Sequence, residues 1–225
     1  MKILYTVLVF MMIGISAIAQ SSKEEAIGIE KKIIAKAKRI GDPVVASFSM
    51  YKLIALEGEN STYKDSLTYM YYSAGKYASC FMMANEVLKR DPKNEDILEL
   101  KASSLESLGA LDKAMEVYAE LFELSNNNYH GYNLSKLQLS IKKFEDAYTT
   151  IKKVEGLNDS GKVSVTFSIN QTHTQQIELL AAIPYLKGLI EEELDKNDEA
   201  KLSYQEALKI QPEFVLAKEK LDRLN

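Results

Sequence analysis

One cysteine, two histidines and no tryptophan occur among the 225 residues, and the scarcities close off whole classes of function. A single cysteine cannot form an internal disulfide, so packing alone must hold the fold; pairing with another chain is the competing reading for Cys80. Neither His130 nor His173 has a Cys, His or carboxylate at ligand spacing, which argues against a zinc site. The chain has no P-loop, no dinucleotide-type glycine pattern, no G-x-S-x-G and no H-E-x-x-H. Glu191, Glu192 and Glu193 resemble a carboxylate cluster on paper, but successive helical residues point about 100° apart and cannot converge on one substrate atom. The expectation is a protein that is not an enzyme and carries no cofactor or metal. Positive charge is also short: the net charge is −4, against the clustered basic surface that nucleic acid requires. Lys31, Lys32, Lys36, Lys38 and Arg39 do gather, but beside Glu24, Glu25 and Glu30, as on a solvated helix face.

What is present is a period. Gly41, Gly75 and Gly109 stand 34 residues apart, and Ala46, Cys80 and Ala114 follow each by five. The small-residue slot returns at Ala147, 33 residues on, and at Ala200, 53 further on, which is 34 plus an insertion of 19. A repeat of this length marks an array of helical hairpins. Between Thr62 and Ala74 the apolar residues Tyr63, Leu67, Met70 and Ala74 fall on one helical face, and Tyr77, Cys80, Phe81, Ala84, Val87 and Leu88 form a second stripe before Asp91-Pro92 stops the helix. A small residue lets two antiparallel backbones approach to the short end of the usual packing distance. Cys80, in that slot, reads as a buried packing residue, and His130, where other repeats carry Ile29, Tyr63, Ile97 and Ile183, as a packed histidine.

This pattern resembles the tetratricopeptide repeat family. The last unit carries Gly188, Ala200, Tyr204, Ala207 and Pro212 at the family offsets; others offer Gly109, Ala114 and Tyr118, or Gly75, Tyr77, Cys80 and Pro92. The absence of Trp and Asn126 in place of a closing proline depart from the consensus, and the unit from Gly131 to Val154 is carried mainly by Phe144, Ala147 and Ile151. The resemblance implies an all-α fold, an α-solenoid of helix–turn–helix repeats at about 24–58, 60–93, 94–126, 128–157 and 180–212, with a capping helix at 213–225.

Two segments break the period. Ile3 to Ile15 is apolar apart from Thr6 and Gly14, follows Lys2, and precedes Ala17-Ile18-Ala19, which reads as a secretory signal peptide over 1–19 cleaved before Gln20; an uncleaved anchor is the competing reading. Cleavage would leave residues 20–225 as the solenoid with no membrane insertion. The second segment is 158–179. After Asn158-Asp159-Ser160-Gly161, Val163, Val165, Phe167 and Ile169 alternate with polar residues, and Ile177 and Leu179 alternate after a polar turn. This predicts a β-hairpin near 162–179, either a flap over an exposed seam or a docking edge for a partner strand.

In the family, first helices line a concave groove. Carrying over its groove offsets gives Asp65, Tyr69 and Tyr72; Glu99, Ser103 and Glu106; Tyr129, Tyr132 and Lys136; and Tyr185, Leu189 and Glu192. Tyrosines among carboxylates suit a peptide or protein segment with apolar and basic side chains, although any solenoid exposes such residues. The carboxylate clamp of chaperone-binding members needs Lys, Arg and Asn at offsets held here by Asp65, Tyr69 and Glu99. The chain thus looks like an exported, periplasmic scaffold of the Bacteroidetes type that binds an unknown protein or peptide. Competing readings are a self-assembling solenoid and a small-ligand-binding or hydrolytic envelope protein.

Overall fold

One backbone shape, used five times, closes the turn between paired helices. The computed structural model describes residues 2–157, 161 and 163–225, and side chains from residue 20 onward. The helical pairs are α1 (Lys2–Ile40) with α2 (Pro43–Glu57), α3 (Tyr63–Ser73) with α4 (Tyr77–Arg90), and α5 (Glu95–Ser107) with α6 (Leu111–Ser125). Then come α7 (Asn128–Ser140) with α8 (Phe144–Glu155), and α9 (Leu179–Glu193) with α10 (Asn197–Ile210), before a final α11 (Val215–Leu224). In each turn one residue is left-handed: Gly41, Gly75, Gly109, Lys142 and Asp195, with φ of 72°, 67°, 74°, 61° and 57°. The next N–H then reaches back to the carbonyl five residues earlier, as in Lys76 to Tyr71 at 2.8 Å and Lys143 to Gln138 at 2.8 Å, the hydrogen bond of a Schellman closure. Lys142 and Asp195 adopt a conformation that costs most residues about 1–2 kcal/mol, so the turn is imposed by its context and not by glycine alone.

The second helix starts from the same frame. The small-slot N–H donates to the carbonyl four residues before it in every pair, for example Ala114 to Ala110 at 2.9 Å and Ala200 to Lys196 at 3.0 Å. Ala46 is 2 % exposed, and Cys80, Ala114, Ala147 and Ala200 are fully buried. All five are thus packed out of water, as the close approach inferred from their size requires. The fold is all-α, built from solenoid-type repeats.

The chain divides into two compact units, residues 1–100 and 101–225. In the first, Ile34, Ala37, Ala46, Met50, Leu53 and Leu67 form one cluster and Ala84, Val87 and Ile97 another. Asp42 caps α2, accepting from the N–H groups of Val44 and Val45 at 3.1 and 3.0 Å, with Pro43 in the first turn where its missing N–H costs nothing. On α3 the buried positions are Lys64, Leu67 and Thr68, while Ala74 is exposed at the helix end, so the apolar face is shorter than the sequence stripe. Lys64 is tolerated there because Glu59 and Glu86 lie 2.9 and 3.6 Å from its ammonium.

In the second unit the core gathers Tyr132, Ile151, Val154, Ile177, Ile183, Tyr185, Tyr204 and Phe214. The hairpin is present: β1 (Ser164–Ser168) pairs antiparallel with β2 (Thr174–Glu178), Val165 opposite Ile177 and Phe167 opposite Gln175. Burial alternates along β1 as the period of two requires, and Ile177 is wholly buried. Leu179, expected to continue the strand, instead opens α9; its N–H still makes the last rung, to the Val163 carbonyl at 2.8 Å. The breaker Asn158-Asp159-Ser160 and the side chains of residues 1–19, the segment read as a signal peptide, lie outside the described residues.

Candidate functional site

The twelve groove positions divide into accessible residues, residues committed to neighbours, and core. Asp65 belongs to the second kind. Arg90 Nη2 donates to both its carboxylate oxygens, at 2.8 and 2.7 Å, and Arg90 Nη1 reaches the Ser61 carbonyl at 3.1 Å. Such a fork holds α3 against the end of α4. Ser103 shares a hydrogen bond of 3.0 Å with the Tyr118 hydroxyl, which also donates to Glu106 at 3.4 Å; Lys136 lies 3.3 Å from Glu106. Tyr129 is half-buried against His130, and His130 Nδ1 is 2.8 Å from Ser125 Oγ, a packed histidine as its repeat position implies. Glu192 accepts from the Tyr204 hydroxyl and from Lys220 at 2.9 Å.

Tyr132 and Tyr185 correct the sequence reading. They are 3 % and 6 % exposed and belong to the core. The cause for Tyr185 is the insertion: Phe167 of the hairpin stands edge-on to it at 5.4 Å and Phe214 packs at 4.7 Å. Burial lifts the Tyr185 phenol to about 12. Leu189, half-buried, packs on the same cluster. The hairpin thus fills the groove positions of α9, which favours the flap over an open groove in this unit.

Accessible surface is found in the first unit. Tyr69 is 44 % exposed, and its hydroxyl donates to Asp96 at 3.2 Å. Partial burial, then the nearby Asp96, Asp65 and Glu99 carboxylates, push its phenol above the ordinary range. Tyr72, half-buried, meets Tyr77 edge-on at 5.8 Å, and Glu99 is half-exposed. Tyr69 also borders an open cavity of about 470 Å³ with Pro43, Val44, Met70, Tyr71 and Lys76. Beside it Val44, Phe48 and Tyr51, spaced by four and three on α2, are 74 %, 62 % and 46 % exposed. The Tyr51 and Tyr71 hydroxyls are 2.7 Å apart, and Lys52 stands 4.9 Å from the Phe48 ring centre. Sequence reasoning missed this α2 stripe, although Pro43–Glu57 is apolar on more than one face, a mark of a helix with two faces to cover.

The adjacent glutamates of α9 separate. Glu191 is buried and accepts from Ser203 Oγ at 2.6 Å, Glu192 is half-buried, and Glu193 is exposed. Burial raises the Glu191 carboxyl above its usual range, with Ser203 and Lys187 opposing. A folded-state value above the unfolded one supports stability below the unfolded value, and that support is lost as pH rises through the folded value. Glu191→Gln is therefore expected to raise the unfolding temperature at about pH 7 and to leave it unchanged at about pH 3. An equal change at both would remove the carboxyl as its source. Among the described residues, no three of His, Cys, Asp and Glu are placed to hold a metal ion, and no helix is long and apolar enough to cross a membrane.

Comparison with known proteins agrees with this architecture. A tetratricopeptide repeat model matches residues 95–128 and 183–214. An uncharacterized protein of Aquifex aeolicus (strain VF5) is 30% identical over 94 residues, 42% of this chain and 54% of that relative, so the match spans about half the relative's length. A tetratricopeptide repeat protein from Parabacteroides merdae superposes with a TM-score of 0.65 at 20% identity, over 91% of this chain and 72% of that one. YrrB, a TPR protein with an unusual peptide-binding site, gives 0.64 at 16% identity, over 83% and 87%. MamA gives 0.59 at 18% identity, over 72% and 79%. At such identities the shared property is the fold. The two matched stretches, 95–128 and 183–214, hold α5 with α6 and most of α9 with α10, and there the chain is similar to tetratricopeptide repeats.

Proposed function

We propose that the protein is a binding scaffold that holds a protein or peptide segment on its first unit, at the surface around Tyr69. The helical-repeat fold supports a scaffold, and the peptide-binding character of YrrB is consistent with it. The observation that carries the reading is Tyr69 itself. A large aromatic ring is left 44 % exposed, its hydroxyl aimed by Asp96, beside an apolar cavity. Tyrosine supplies rigid contact area with a polar tip, the profile of an interface hot spot. Asp96 and Glu99 at its edge select basic side chains flanking an apolar anchor in the partner. The role in this proposal is binding, carried by ring area and flanking carboxylates.

The scaffold is exported in this proposal. The apolar run from Ile3 to Ile15 and the Ala17-Ile18-Ala19 site support a leader and a periplasmic mature chain beginning at Gln20. The test uses that mature chain against the envelope fraction and an array of peptides carrying an apolar anchor with Lys or Arg. Tyr69→Ala and Asp96→Asn are expected to weaken recovery of a captured partner by about tenfold or more while leaving thermal unfolding unchanged. Capture that survives both substitutions places the binding surface elsewhere. Tyr132→Ala is unsuitable as a partner variant, because that ring is core.

A further inference from the structure

The two outer edges of the hairpin are unequal. On β2, the Glu178 N–H donates to Gln211 Oε1 at 3.0 Å and the Gln176 carbonyl accepts from Gln211 Nε2 at 3.2 Å. Gln175 adds two more ties, donating to the Glu213 carbonyl at 2.6 Å and accepting from the Val215 N–H at 3.1 Å. That edge is closed. On β1 the rungs to β2 are made by Val163, which accepts from Leu179, and by Ile169, which donates to His173. Strand alternation therefore turns the N–H and C=O groups of Ser164, Thr166 and Ser168 outward. Among the described residues nothing pairs with them, and all three residues are exposed.

We infer that a second copy of this chain pairs with the open edge, β1 against β1, antiparallel and centred on Thr166. The inference does not rest on the groove reading. Centring on Thr166 sets Thr166 against Thr166 of the other copy and Ser164 against Ser168. This register uses all three outward residues of both strands, and shifting it by one step in either direction leaves some unpaired. The pairs are hydroxyl to hydroxyl on the solvent face and Val165 to Phe167 on the apolar face, both favourable cross-strand combinations. Natural edges block such pairing with lysine, proline or inward charge, yet Ser-Val-Thr-Phe-Ser holds none of these. A foreign strand is not selected, because the edge offers it neither charge nor a distinctive pocket. A five-residue strand buries less than a stable interface needs, so the dimer is weak and concentration-dependent.

Sedimentation velocity on the chain from Gln20 onward is expected to show mass rising from one chain toward two as concentration increases. Amides of Ser164, Thr166 and Ser168 should gain exchange protection over the same range. Thr166→Lys and Thr166→Glu each place like charges opposite one another at the symmetry centre, and each is expected to remain a single chain. Mixed in equal amounts they should associate, because the centre then holds opposite charges. Far-UV circular dichroism should show both variants folded, as befits an exposed side chain whose only tie among the described residues is from Gln176 Nε2 at 2.8 Å. A wild type of constant mass, a mixture that stays single, or dimers whose β1 amides remain unprotected overturns the pairing. Protection of β1 only on adding an extended peptide also overturns it, assigning the edge to another partner.

Discussion

Phe214→Ala is expected to cost about 3–5 kcal/mol of folding stability, a large fraction of the roughly 5–15 kcal/mol typical of a domain. Phe214 is fully buried in the short link between α10 and α11. Its ring centre lies 4.7 Å from that of Tyr185 and 5.1 Å from that of Phe167, so one side chain touches α9 and the hairpin together. Two strands alone are marginal in water, and this contact is what the apolar face of β1 rests on. Truncation removes the transfer free energy of a ring and leaves a cavity bounded by two other rings that cannot both collapse into it. Urea denaturation should show the loss, and hydrogen exchange should show the β1 and β2 amides opening before those of α9. A loss under about 1 kcal/mol would mean that the link, and not the ring, holds the hairpin down.

The repeat was legible in the sequence because its physical cause is local. A close helix crossing demands a small residue, and the demand recurs at Ala46, Cys80, Ala114, Ala147 and Ala200 whatever lies around it. The hairpin was legible because a period of two cannot be mistaken for one of 3.6. The turns at Lys142 and Asp195 were readable but missed: both stand five residues before the small slot, as the glycines do, and only the expectation of glycine hid them. The groove was not legible in the same way. Its offsets presume a face open to water, whereas Phe167, from an insertion outside the repeat, covers Tyr185. Asp65 fell to Arg90, 25 residues away, for the same reason: a partner distant in sequence decides whether a polar face is free. Tyr69 kept its exposure, with no such neighbour over its ring among the described residues.

The largest coupled effect is expected where α9 meets α10. Gly188 faces Tyr204, and a Cβ on Gly188 would stand 2.5 Å from Cε1 and 2.9 Å from both Cδ1 and Cζ of that ring. The ring is wholly buried, and its hydroxyl is engaged by Glu192, so it cannot swing aside without breaking that bond. Burial works to raise the Glu192 carboxyl, but the hydrogen bonds from Tyr204 and Lys220 outweigh it and hold the group below its ordinary range. Gly188→Ala alone is expected to cost about 1–3 kcal/mol through overpacking, less the roughly 0.5–1 kcal/mol that alanine returns in a helix. Tyr204→Ala alone is expected to cost about 3–5 kcal/mol, as truncation of a large buried aromatic does. Glu192 keeps Lys220 at 2.9 Å in that variant, so no bare charge is added to the loss. In the double variant the new methyl enters the space the ring has left. Its cost should fall short of the sum of the two single costs by about 1–3 kcal/mol. Strict additivity in urea denaturation would show that notch and ring are not in contact, and the packing assigned to the fifth pair would be wrong.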